Sequence, residues 1–269
     1  MKIKNFNLQH TLECGQFFRW RKMGGWYYIN SRDKFFRVRQ KDKQLEFSGV
    51  EENFLWNFFS LDHPLEEILA EIGKDNHLKS ILLRYYGLRL IRQDPWECLI
   101  SYLCSIASNI PKIRHCLELL AHDFGRPIEL DGIKSHTFPG PGAIKGINRL
   151  KKTGVGFRAR YILAASRRVD DGYLGSISAL PYQEAKDSLM ELPGVGEKVA
   201  DCVLLFSLGF LEAFPVDRWI KRHMQKSYFN NKNLSNKKIV SFAQDYFGRY
   251  AGYAQEYLFC LAREKRGGL

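Results

Sequence analysis

The stretch that most constrains this chain is Glu191-Leu-Pro-Gly-Val-Gly-Glu-Lys-Val-Ala-Asp-Cys202. Before it, Tyr182, Ala185 and Leu189 mark one face of a helix. After it, Val199, Cys202, Val203 and Phe206 repeat the pattern at i, i+3, i+4 and i+7. Between them Pro193-Gly194-Val195-Gly196 is too tight and too glycine-rich to continue either helix. The pattern therefore predicts helix, hairpin, helix, with Lys198 in the first turn of the second helix. Such a hairpin aims free backbone N–H groups outward, and these suit a phosphate. A lysine is out of place there on packing grounds alone, because the positive end of the helix repels it.

Composition narrows the partner. Forty-one Lys and Arg against 29 Asp and Glu leave a net charge of +12. A surplus of that size favours an anionic partner, nucleic acid before a membrane surface. The 269 residues are 45% hydrophobic and 26% charged, which fits one large or two modest globular domains with a full core. Six scattered cysteines (Cys14, Cys98, Cys104, Cys116, Cys202, Cys260) show neither zinc spacing nor a four-cysteine iron–sulfur run. Buried thiols in a reducing compartment account for them. The N-terminus lacks the apolar run of a signal peptide, and no apolar stretch is long enough to span a bilayer. A soluble intracellular chain, with no membrane partner, is the expectation.

Along the chain, residues up to about Gly49 suggest an antiparallel meander. Its expected strands are Gln16–Trp20, Trp26–Ile29, Phe35–Arg39 and Gln44–Phe47, with turns at Gly24-Gly25 and Ser31–Asp33. From Glu51 the period becomes helical, with Pro64 at a first helical position and Gly73 as a stop. Everything beyond residue 88 is expected to be helical. Asp94-Pro-Trp-Glu97 has the form of a capping box, and a second helix starts near Asn109–Pro111. The fold class expected is α+β. A sheet-and-helix domain would fill 1–88, and an all-α domain 89–269.

Two side chains could carry chemistry. An amine attacks only when neutral, and a helix N-terminus or an apolar pocket disfavours an ammonium. Lys198 is thus a candidate nucleophile, with a solvent-facing, phosphate-touching lysine as the plainer alternative. Pro215 breaks the preceding helix, so Asp217 is placed to cap the helix that begins at Arg218. The same carboxylate could face a cleft, stabilise a cationic sugar and assist proton transfer.

Leu192–Cys202 followed by Pro215-Val-Asp217 resembles the helix–hairpin–helix, Gly/Pro loop and aspartate signature of the DNA glycosylase superfamily. Within it the chain resembles the 8-oxoguanine DNA glycosylase/AP lyase family along nearly its whole length. Supporting stretches are Gly15-Gln-Phe-Phe-Arg-Trp20, Ile91–Cys98, Gly156–Tyr161 and Tyr250–Phe259. The resemblance implies a TBP-like twisted N-terminal sheet and a two-lobed helical glycosylase domain. It also implies a monomer acting on double-stranded DNA that contains 8-oxoguanine. The lesion base would be flipped out, Lys198 would form a Schiff base at C1′, and β-elimination would nick the strand. The base pocket carries over onto Gly15, Cys202, Gln255 and Phe259. The Gly15 carbonyl would accept the N7–H that guanine lacks. Gln255 would read the Watson–Crick edge, while Phe259 and Cys202 pack on the two base faces. DNA contacts would come from Asn109, Lys112, Phe157, Arg158 and the hairpin backbone at Gly194 and Gly196. The reaction needs no cofactor or catalytic metal, although a monovalent cation could sit on the hairpin carbonyls. Two alternatives stand beside this reading: a non-catalytic helix–hairpin–helix DNA-binding protein, and a glycosylase of the same superfamily for another damaged base.

The chain departs from the family on the opposite strand. An asparagine that reads the estranged cytosine in eukaryotic members is Ala107 here, and an arginine of that set is Lys112. Lysine lacks the planar bidentate fork of arginine. The tyrosine wedge is Phe157, and a histidine two residues past the aspartate is Trp219. Excision of 8-oxoguanine opposite C should therefore exceed excision opposite A only weakly. Single-turnover rates on the two duplexes check this, and a preference for C above about a hundredfold would overturn it.

Overall fold

The computed structural model describes residues 1–169 and 172–264. Alternation is clearest in the N-terminal sheet. Strands β1 (Trp20–Met23), β2 (Trp26–Ser31), β3 (Lys34–Lys41) and β4 (Gln44–Ser48) follow helix α1 (Leu8–Glu13) and pair antiparallel in chain order. The register sets Ile29 opposite Phe36 and Val38 opposite Phe47. Phe36 and Val38 point into the core, while Arg37 and Arg39 on the other face flank the Trp26 ring at 4.4 and 4.2 Å. Helix α2 (Glu52–Phe58) closes the apolar side, bringing Leu55 and Phe58 onto Phe36 and Phe17.

Two expectations for this region are corrected. The first strand begins at Trp20, not Gln16, because the Gln16 and Arg19 side chains are spent on buried bonds to later segments rather than on a pleated face. Leu8–Glu13, within the expected meander, is a short helix capped by Asn7, whose side chain accepts from the His10 N–H.

Helices α3 (Leu65–Ile72), α4 (Asn76–Arg84), α5 (Pro95–Cys104) and α6 (Ile110–Phe124) follow. Pro64 is the N-cap of α3 rather than its first residue, and Gly73 ends it. Asp94 caps α5 by accepting from the Glu97 N–H, with Pro95 at the first position. The reciprocal half of that capping box does not form. Glu97 is 2% exposed and instead pairs with Arg19 at 3.3 Å and accepts from the Arg32 N–H at 2.6 Å. A further correction lies beyond α6, in a region expected to be wholly helical. Strands β5 (Pro127–Leu130) and β6 (Ile133–His136) form a hairpin there, tied to the main sheet by Arg19 donating to the His136 carbonyl and Phe138 donating to that of Arg32.

The remaining helices are α7 (Ile147–Leu150), α8 (Ala159–Arg168), α9 (Tyr173–Ile177), α10 (Tyr182–Met190), α11 (Glu197–Ser207), α12 (Arg218–Tyr228), α13 (Asn236–Phe247) and α14 (Ala251–Glu264). The expected boundary at residue 88 does not follow the cores. Leu65, Ile68, Ile72, Leu78 and Ile81 join the helical core, whereas Ile91 belongs to the sheet core. The physical reason is α14, which packs against α3 and α4 as well as α12 and α13. The two helical lobes share one continuous apolar core. Residues 265–269 of the expected second domain lie outside the described residues. Among the described residues no helix is long and apolar enough to cross a membrane.

A buried polar contact joins the two parts of the molecule. His63, in the loop before α3, receives a hydrogen bond at Nε2 from Arg92 (2.8 Å), so its Nδ1–H donates to the Tyr253 hydroxyl on α14 (2.8 Å). That arrangement requires a neutral ring. Burial, reinforced by the Arg92 charge, lowers the His63 pKa to about 4. The unfolded chain then binds this proton more readily than the folded one. Its contribution to stability is complete above about pH 6.5 and is lost as the pH falls toward 4. Urea midpoints measured from pH 7 to 4.5 should fall for the wild type, and the slope should be shallower in His63→Gln.

Candidate active site

The hairpin forms as expected, between α10 and α11. Gly194 has φ +85°, and a Cβ there would penetrate the Tyr161 ring, so the turn depends on glycine both for its conformation and for the close approach. Gly196, the N-cap of α11, offers no side-chain cap, and a Cβ there would meet open space. The first-turn N–H groups of α11 therefore face outward at an exposed helix start. A buried ion pair braces the motif from behind. Lys186 of α10 meets Asp201 of α11 at 2.9 Å, with 9% and 1% exposure, and the Tyr182 hydroxyl donates to the same carboxylate at 2.6 Å. Burial outweighs both partners and raises the Asp201 pKa to about 6.

Beside the hairpin opens a cleft of about 790 Å³. Lys198, Asp217, Gly15, Cys202, Gln255 and Phe259 all line it, although they come from four separate parts of the chain. Lys198 is the second residue of α11. Its Nζ donates to the Ser105 hydroxyl at 3.0 Å and lies 4.8 Å from the centre of the Tyr102 ring. Asp217 caps α12 as expected. Its Oδ1 accepts from the N–H groups of Trp219 and Ile220, both at 2.8 Å, which leaves Oδ2 for the cleft. Burial raises the Asp217 pKa despite the two cap bonds and the nearby Lys198 charge.

At the other end of the cleft, Gly15 has φ +108°, and a Cβ there would lie 2.5 Å from Arg263 Nη1. Arg263 donates to the carbonyls of Glu13 and Cys14. The Gln255 side chain is 5% exposed, and its Oε1 accepts no hydrogen bond from the described residues. A buried amide oxygen left in that state suits a ligand that carries its own donors. Burial pushes the Cys202 thiol up to about 12, so it packs as a neutral group. Phe259 is half-buried on the same face of α14.

Of the residues expected to meet DNA, Asn109 is exposed at the cleft edge, where it caps α6 by accepting from the Lys112 N–H at 3.0 Å. Lys112 is exposed, and Phe157 is 50% exposed with Arg158 over its ring at 4.6 Å. Arg158 faces inward. It is 3% exposed, and its guanidinium donates inward to the carbonyls of Ile106, Ala107 and Val155. Its visible task is to clamp a loop in which Ala107 takes the left-handed φ of +47°. Sequence reasoning also missed Tyr102 and Ser105 beneath Lys198, and the cationic rim of Arg114, Arg218 and Arg222. No local motif marks them, because tertiary packing alone aims them at the cleft.

Comparison with known proteins agrees with this architecture. The family model described as the 8-oxoguanine DNA glycosylase N-terminal domain matches residues 1–99. A probable N-glycosylase/DNA lyase of Methanothermobacter thermautotrophicus is 34% identical, over 78% of this chain and 74% of that protein. An N-glycosylase/DNA lyase of Arabidopsis thaliana is 31% identical, over 93% of this chain and 75% of its own length. The 8-oxoguanine glycosylase/lyase of Clostridium acetobutylicum, solved with double-stranded DNA containing cytosine opposite 8-oxoguanine, superposes with a TM-score of 0.93 at 33% identity. That match covers 97% of this chain and 93% of the other. The chain belongs to the 8-oxoguanine DNA glycosylase/lyase family of helix–hairpin–helix enzymes.

The two duties of Asp217 separate by substitution. Asparagine caps a helix as well as aspartate does, whereas alanine costs about 0.5–2 kcal/mol. Because the folded-state pKa of Asp217 is raised, its stabilising contribution is complete below the ordinary aspartate value and is lost as the pH rises through the folded value. Asp217→Asn should therefore melt no lower than wild type at pH 7, with its relative advantage shrinking on acidification, and Asp217→Ala should melt lower than both. Calorimetry across pH checks the order.

Proposed function

We propose that this chain removes 8-oxoguanine from duplex DNA and then cleaves the strand at the vacated sugar. One observation carries the reading: an amine, a half-buried carboxylate and an unpaired amide oxygen line a single cleft beside a hairpin suited to phosphate. The names of the relatives support it. A binding module without chemistry would need neither the enclosed pocket nor the pairing of Lys198 with Asp217 in one cleft.

In the proposed reaction the Lys198 amine bonds to C1′ as the glycosidic C–N bond breaks, and an amine proton leaves with the base. The sugar ring then opens to an imine. Loss of a C2′ proton expels the 3′ phosphate, and hydrolysis of the imine returns the amine. The Asp217 carboxylate stabilises positive charge on the sugar while Oδ1 keeps its cap. Gly15 accepts from N7–H, Gln255 reads the Watson–Crick edge, and Cys202 and Phe259 sandwich the base. The exposed Phe157 ring fits the wedge that fills the gap left by the flipped nucleotide. Gly194 and Gly196 bring backbone to a DNA phosphate, with a monovalent cation on the hairpin carbonyls. Discrimination of the opposite base is relaxed, since Ala107 has no amide to offer. The enzyme acts as a monomer, without a cofactor in the reaction. A reducing intracellular compartment suits its six free, buried cysteines.

Borohydride reduction during turnover on an 8-oxoguanine duplex should trap a covalent protein–DNA adduct with wild type and none with Lys198→Gln. Wild type that forms no adduct, or a variant that still does, would remove Lys198 as the nucleophile.

A further inference from the structure

Behind the base pocket three side chains converge that the reaction does not use. Cys14, Glu256 and Cys260 are all buried, and their Sγ and carboxylate oxygen atoms lie within 4.8 Å of one another. Each is the sequence neighbour of a pocket residue: Cys14 of Gly15, Glu256 of Gln255, and Cys260 of Phe259. We propose that Cys14, Cys260 and Glu256 form a binding site for a soft divalent cation such as Zn²⁺, placed behind the pocket that takes the base.

Glu256 gives the first reason. It is 1% exposed, makes no ion pair among the described residues, and its Oε1 has no hydrogen-bond partner there. A buried carboxyl group whose side-chain partner is the Cys14 thiol, set beside a second thiol, is an ordinary donor set for a soft metal ion. Cys14 gives the second. Its Sγ accepts from Gln16 Nε2 at 3.2 Å and donates to the Thr11 carbonyl at 3.1 Å. Gln16 Nε2 also lies 3.0 Å from that carbonyl and 2.8 Å from the Arg89 carbonyl, so its two N–H groups are shared among three acceptors, of which a thiolate would be the strongest. The amide N–H would remain as the outer-shell hydrogen bond that steadies a thiolate ligand. Charge gives the third. Two thiolates and a carboxylate carry three negative charges, and a divalent ion with the nearby Arg263 guanidinium, bound to the Cys14 carbonyl, restores neutrality. Glu256 also borders the cleft, so the site lies directly behind the cleft wall.

The site is independent of the reading of the cleft as a glycosylase centre, and so is its test. Full-length protein in a phosphine reductant is titrated with Cd²⁺ and followed by the thiolate-to-cadmium charge-transfer absorbance, with melting temperature recorded in parallel. Wild type should bind one equivalent and melt higher with the metal. Cys260→Ser should lose the band, and Glu256→Gln should bind at least about tenfold more weakly. Cys104→Ser, which disrupts the separate Cys104–Cys116 neighbourhood, should titrate like wild type. If Cys260→Ser does not fold, Glu256→Gln decides alone. A wild type without a stoichiometric band, a band unchanged in Cys260→Ser and Glu256→Gln, or a band lost in Cys104→Ser would overturn the proposal.

Discussion

The side chain of Gln16 is the contact on which both halves of the cleft depend. Buried to 1%, it donates through Nε2 to the carbonyls of Thr11 and Arg89 and accepts at Oε1 from the Ile91 N–H. Its main-chain carbonyl accepts from Gln93 Nε2 and from the Tyr102 hydroxyl. A buried network in which each partner is satisfied is rigid, because moving any member strands a polar group in a low-dielectric interior. Gly15 is thereby held against the helical body although it precedes the first strand. Tyr102 extends the same network to the other end of the cleft, since its hydroxyl binds Gln16 while its ring lies under the Lys198 amine. Gly15 at one end of the cleft and Lys198 at the other are fixed relative to one another through a single aromatic side chain.

Around that hub the molecule accepts unfavourable placements where the chemistry needs them. Lys198 stands at the positive end of α11, and Asp217 is kept in a site that raises its pKa. Gln255 holds an unpaired buried oxygen toward the cleft. Each is a local defect in folding terms, and the continuous apolar core of the surrounding scaffold offsets them.

Much of this was legible along the chain. The 3.6-residue stripes flanking a Pro-Gly-Val-Gly turn specify the hairpin, since no regular element tolerates that turn. The aromatic alternation around Gly24-Gly25 specifies β2, β3 and their neighbours in register. Asp217 was identifiable as a cap because Pro215 stops one element just before another begins. What misled was polarity with a hidden partner. Gln16 and Arg19 looked like strand residues and Glu97 like half of a capping box, yet each is consumed by a buried bond to a distant segment.

The sequence by itself determined the local geometry of the helices, the hairpin and the sheet, because those depend on side-chain period, glycine and proline at short range. It also carried the family pattern that links Lys198, Asp217 and the pocket residues. Only the tertiary structure decided which charges face the cleft and which lie inside, and which helices before residue 88 share the helical core. It alone brought Cys14 beside Glu256 and Cys260. That last juxtaposition follows from α14 packing against the N-terminal segment, a long-range event that leaves no periodic mark in either stretch.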